Sequence, residues 1–134
     1  MDTRFWLLMS IAGTATLWIP YVLHRFVRLG VSRTLGNPRV ADLEALSPWA
    51  VRAQRAHANA VENLVIFAPL ALLALERGLG NCTLVSGAAA TYFFARLAHY
   101  VLYAAGVPGL RTLAFLAGFG AQLTVALALA GGAQ

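Results

Sequence analysis

Two runs of polar side chains interrupt an otherwise apolar chain. In RAQRAHANAVEN, residues 52–63, the residues Arg52, Arg55, Asn59 and Glu62 fall within about 80° of one another at 100° per residue, a single stripe down one side of a helix. Further on, Tyr92, Arg96, His99 and Tyr103 fall within about 60°, with Tyr100 at the edge of the same face. Guanidinium forks match carboxylates, a sequestered carboxylate matches an ammonium group, and tyrosine or arginine donates to an anionic oxygen or sulfur. A small zwitterionic peptide with two carboxylates, one amine and a thiol fits that inventory. A purely structural reading is also open: Glu62 pairs with Arg96, Asn59 and Tyr92 satisfy backbone, and the tyrosines anchor at the membrane interface. It leaves Arg52, Arg55, His99, Tyr103 and Arg111 on one membrane side without a purpose. His57 points about 140° away from Arg52 and reads as structural or as an intersubunit contact. No metal site is expected, because the three histidines, His24, His57 and His99, have no second ligand at the right spacing.

The elements that carry these residues are set by hydropathy. Of 134 residues, 60% are hydrophobic and 11% charged, a balance that places the chain in a membrane. Four windows approach the roughly 20 apolar residues needed to cross a ~30 Å hydrocarbon core, and the spans are expected at about 5–26, 50–75, 82–105 and 110–130. Backbone in lipid must bond within its own segment, so the fold expected is all-α. It is an integral membrane four-helix bundle, one domain over residues 1–134, with both termini on the same side. Arg96 lies near mid-span, where a lone charge costs at least ~2.5–3.5 kcal/mol, so it must face protein or water, and Glu62 is its expected partner.

Punctuation and charge add detail. Pro20 and Pro69 each remove a backbone donor and predict a kink. Gly36, Asn37 and Pro38 break the first connection, and Ser47 and Pro48 read as the N-cap and first residue of the second long helix. Gly78, Gly80 and Asn81 make one tight return, Gly106 to Gly109 the next, and Gly118 is among the small residues that let helix backbones approach. The lone Cys82 rules out an internal disulfide. The net charge of +5 comes from ten arginines and no lysine; Arg25, Arg28, Arg33, Arg39, Arg52 and Arg55 share one side, which the positive-inside rule makes cytoplasmic. Anionic headgroups explain that cluster more simply than nucleic acid.

On these residues the chain resembles the MAPEG family, the membrane-associated proteins of eicosanoid and glutathione metabolism. RAQRAHANAVEN is similar to the family's second-helix signature of arginine, histidine, asparagine and glutamate in that order, ARLAHYVLY resembles its third-helix stretch, and VRLGVSRTLGNP its first loop. The resemblance implies a bacterial-type member in the inner membrane, first loop cytoplasmic, assembled as a homotrimer and using glutathione as cosubstrate against a lipophilic small molecule. Carried over residue by residue, Arg28, Arg55, Asn59, Glu62, Arg96, His99 and Tyr103 would bind glutathione. Arg111, Thr112 and Tyr103 would act at the thiol. Four positions depart from the family pattern: Ala60 stands where an aspartate is usual, Asn63 is added after the glutamate, Ala58 stands where one branch has arginine, and Phe115 where that branch has tyrosine. They argue against eicosanoid chemistry and support binding better than turnover. The expected function is a glutathione-dependent transferase or peroxidase for lipophilic electrophiles; the alternative is a non-catalytic subunit or scaffold that keeps the fold. Small multidrug transport would need an acid in the first span, which has none.

Overall fold

The computed structural model describes residues 1–131; residues 132–134, the end of the expected domain, lie outside the described residues. The described residues are helical with no strand. The helices are α1 (Thr3–Thr16), α2 (Ile19–Leu35), α3 (Val40–Glu44), α4 (Pro48–Glu76), α5 (Thr83–Ala105) and α6 (Pro108–Ala130), with a 3₁₀ turn at Leu79–Asn81.

Pro20 divides the first span. Leu17 and Trp18 stay right-handed but leave the helical ladder, and α2 restarts with Pro20 in its first turn. Without a Pro20 N–H the carbonyl of Thr16 loses its i+4 partner, which is why the break falls here. Tyr100 of α5 donates to the Leu17 carbonyl at 2.9 Å, so this tyrosine is a buried tie to the kink rather than an interfacial anchor. A second break lies in α2, where Gly30 takes φ 78°, a conformation open to glycine. α4, by contrast, runs without interruption through Pro69.

Three segments are long and apolar enough to cross a bilayer: Thr3–Leu35, Pro48–Glu76 and Pro108–Ala130. The expected fourth, α5, equals α6 in length but not in composition. Among the groups that lower its hydropathy, Tyr92, Arg96, His99 and Tyr100 are buried, because the face that carries them packs against α1, α4 and α6. Polarity turned inward is the only arrangement lipid tolerates. α4 meets its neighbours through small residues at helical spacing, Ala50, Ala53, Ala56, Ala60, then Phe67, Ala71 and Ala74. Phe67 stacks on Tyr92 with centroids 3.8 Å apart. Outward, residues such as Leu8, Val65, Leu72, Phe94 and Leu127 are exposed, as on a surface solvated by acyl chains.

The polar ends are tied by short-range chemistry. Thr3 Oγ1 donates to the Gly80 carbonyl at 2.9 Å and fixes α1 to the 3₁₀ return. At the opposite end Ser47 occupies the expected N-cap position, yet its side chain makes no capping bond; its backbone N–H donates to His24 Nε2 at 3.2 Å. His57 bonds Tyr21 at 2.9 Å through Nδ1, a tie between α4 and α2. The short helix α3 is an unexpected element, held by the Arg39 N–H to Asp42 Oδ2 bond (2.9 Å) and an Arg33–Asp42 ion pair at 2.9 Å.

Candidate functional site

The polar stripe of α4 flanks that helix's buried alanines, so it opens at the rim of the bundle: Arg52 and Asn59 are half-buried, Arg55 and Glu62 exposed. α5 and α6 bring the rest. A cleft of ≈ 430 Å³ lies between α4 and α6, with Asn59, Glu62, Asn63 and Gln122 among its polar lining and Phe115, Phe119 and Ile66 among its apolar walls.

Arg96 approaches from behind. Its guanidinium is buried and donates to the carbonyls of Phe115 (2.8 Å) and Ala114 (3.4 Å) on α6 and to Asn59 Oδ1 (3.5 Å) on α4. The Phe115 ring lies 5.1 Å from its Cζ, a cation–π contact. The expected Glu62–Arg96 pair is absent; the one salt bridge among the described residues is Arg33–Asp42. The reason is directional. Glu62 leaves α4 on the exposed side, whereas Arg96 turns inward, where Nη2 bonds main-chain oxygens of α6 and Nε is left without a partner.

Below Arg96, His99 is buried with Nδ1 2.9 Å from the Arg111 carbonyl. A carbonyl only accepts, so Nδ1 carries the proton and Nε2, buried without a partner, presents a lone pair when the ring is neutral. Tyr103 meets the His99 ring edge-on at 5.6 Å, and the Arg111 guanidinium covers the Tyr103 ring at 4.5 Å. Arg96, His99, Tyr103 and Arg111 therefore form one column along the α5–α6 seam, and Asn59 joins it from α4. Thr112 does not join it: its side chain is exposed and its hydroxyl donates to Pro108 of its own helix at 3.1 Å. Arg28 stands exposed on α2, outside this column.

Four further residues tie the site together, of which only Gln122 was not named from the sequence. Arg52 donates from Nε to the Ala104 carbonyl at 3.0 Å and lies against Gly106, whose φ of 80° ends α5, so it is a tie between α4 and α5. Asn63 donates to the Asn59 carbonyl (2.8 Å), Gln122 donates to the Asn63 carbonyl (2.9 Å), and Gly118 abuts Arg96. Gln122 had a legible signal, since it is the one amide in the uncharged stretch from Leu113 to Ala130. Ala60 is buried in the core and Ala58 exposed, so the two departures from the family pattern differ in setting.

Fold and site together define an integral membrane helical bundle with a column of cationic and aromatic groups at one end. The chain belongs to the MAPEG family, whose model matches residues 7–131. Comparison with curated proteins and with solved structures gives no match.

Proposed function

We propose that this protein is a glutathione-dependent membrane transferase or peroxidase for lipophilic electrophiles. One observation carries the reading: Arg55, Arg96 and Arg111 have no carboxylate partner among the described residues, although Arg96 is buried and Arg111 half-buried. Guanidiniums left without anions suit a ligand that brings its own. Glutathione brings two carboxylates and a thiol whose ordinary pKa is about 8.5, and a nearby guanidinium favours the thiolate, the nucleophilic form. In this reading Arg111, with Tyr103 beneath it, faces the thiol, Arg55 takes a carboxylate, Glu62 the ammonium, and Asn59 and His99 orient the peptide. The exposed Arg28 and the open α4–α6 cleft suit completion by neighbouring copies in a homotrimer, with all four long segments crossing the bacterial inner membrane.

The test is titration of the detergent-solubilised protein with glutathione, following heat and thiolate absorbance together. Saturable binding with a rise in thiolate absorbance at neutral pH is expected; no binding overturns the proposal. One observation favours a binding-only scaffold instead: the Thr112 hydroxyl is spent on Pro108 and Phe115 has no hydroxyl, so Arg111 has few helpers at the thiol. Binding without conjugation or reduction of any lipophilic electrophile would decide for that second reading.

A further inference from the structure

Arg96 crosses from α5 to α6 at a point where α6 has no side chain. A Cβ built on Gly118 would collide with the guanidinium, meeting Nη2 first and then Nε at 2.7 Å and Cζ at 2.8 Å. No real Cβ sits that close, so the guanidinium lies in a notch that only glycine leaves open. From there Nη2 reaches the carbonyls of Ala114 and Phe115, and Nη1 turns towards Asn59 Oδ1. α6 is joined to α4 directly where Gln122 donates to the Asn63 carbonyl.

We infer that Gly118 is a positioning residue: its notch holds the Arg96 guanidinium on α6 so that Arg96 links α6 to Asn59 and fixes the wall of the α4–α6 cleft. The alternative, that Gly118 serves only close approach of helix backbones, predicts contact with α5 main chain. The three nearest atoms to the added Cβ are instead all of the Arg96 guanidinium. Gly118 is also buried, unlike Gly87 and Gly120, beside which a Cβ would meet open space. Arg96 is the group that must yield when Gly118 gains a side chain, and its head cannot withdraw into lipid without cost. The consequence for the ligand rests on the glutathione reading, through Asn59; the notch itself does not.

The experiment is a double-mutant cycle read by thermal unfolding of the intact protein in detergent. Gly118→Ala lowers the midpoint when Arg96 is present. In Arg96→Met or Arg96→Ala protein the same change leaves the midpoint unchanged or raises it, because alanine is the better helix former once the guanidinium is gone. An equal loss in both backgrounds, or no loss in either, overturns the inference. A second readout needs no Arg96 substitution: Gly118→Ala shifts the ¹⁵N–¹H resonance of Arg96 Nε, and an unmoved resonance is equally fatal. Glutathione affinity, measured on the same set, separates the two proposals. If coupling appears but no variant binds glutathione, the notch stands and the functional reading falls; if glutathione binds and coupling is absent, the reverse holds.

Discussion

Arg55, Asn59 and Glu62 descend one side of α4 at successive turns, and the structure gives the two charged members no internal partner. Charges left open in this way are available to a ligand. Arg55→Ala and Glu62→Gln should each weaken glutathione binding by about 1.5–3 kcal/mol, the range for hydrogen bonds to charged groups, measured by calorimetry on folded protein. Arg52→Ala should behave differently. Its guanidinium is spent on the Ala104 carbonyl, so the change should leave glutathione affinity close to native while costing about 1 kcal/mol of stability, a value kept low because the group is half-exposed. Loss of binding in Arg52→Ala equal to that in Arg55→Ala would contradict these assignments. Glu62 and Arg96 provide a second check. Sequence alone pairs them, since a mid-span charge demands a partner; the structure gives Arg96 carbonyls and an amide instead. Glu62→Gln and Arg96→Gln should therefore be additive in stability to within the usual few tenths of a kcal/mol. A large coupling energy would restore the ion pair.

At the scale of the element, α3 is the piece whose existence depends most on charge. Its five residues are too few to hold a helix alone, and Asp42 supplies the fastening by accepting from the Arg39 N–H and facing Arg33. The backbone bond at Arg39, with the nearby arginines, holds the Asp42 carboxyl below its ordinary pKa. The sign follows from that depression: the contribution is fully present above the ordinary carboxylate range and is lost as pH falls through the lowered folded value. Limited proteolysis between Gly36 and Ser47 should thus accelerate on acidification, and in Asp42→Asn it should be fast already at neutral pH. Equal cleavage of both proteins at neutral pH would remove Asp42 from that role. This helix also shows where reading the sequence stops. Long segments are legible because twenty apolar residues have few alternatives in lipid, and the α4 and α5 stripes because helical periodicity forces their members together. α3 was illegible because its stability comes from Arg33, nine residues away, and from the Asp42 bond back to Arg39 rather than from periodicity. The Glu62–Arg96 pairing failed for a related reason. Side-chain direction at a helix rim depends on which stripe the neighbours bury, and here the alanines of α4 claimed the core.

For the whole molecule, the structure sorts the arginines into two ends. Thr3 bonds Gly80, which puts Arg4 and Arg77 at one end, while Arg52 bonds Ala104 at the other, where α2 carries Arg25, Arg28 and Arg33 and Arg39 caps α3. The two arginines of the sparse end each stand beside an acid in sequence, Asp2 or Glu76, so the positive charge falls almost wholly on the other end. That asymmetry is the signal that orients spans in a membrane. On the proposed glutathione reading the ligand would enter from that same end, because Arg55, Tyr103 and Arg111 lie towards it. We predict that this end is cytoplasmic. With Cys82→Ser as background, Gly36→Cys should resist a membrane-impermeant thiol reagent applied to intact cells, and Gly131→Cys, at the end of α6, should react. After permeabilisation both should react. Modification of Gly36→Cys in intact cells, with Gly131→Cys protected, would mean that the chain is inserted the other way up and that the arginine column opens away from the cytoplasm's supply of reduced thiol.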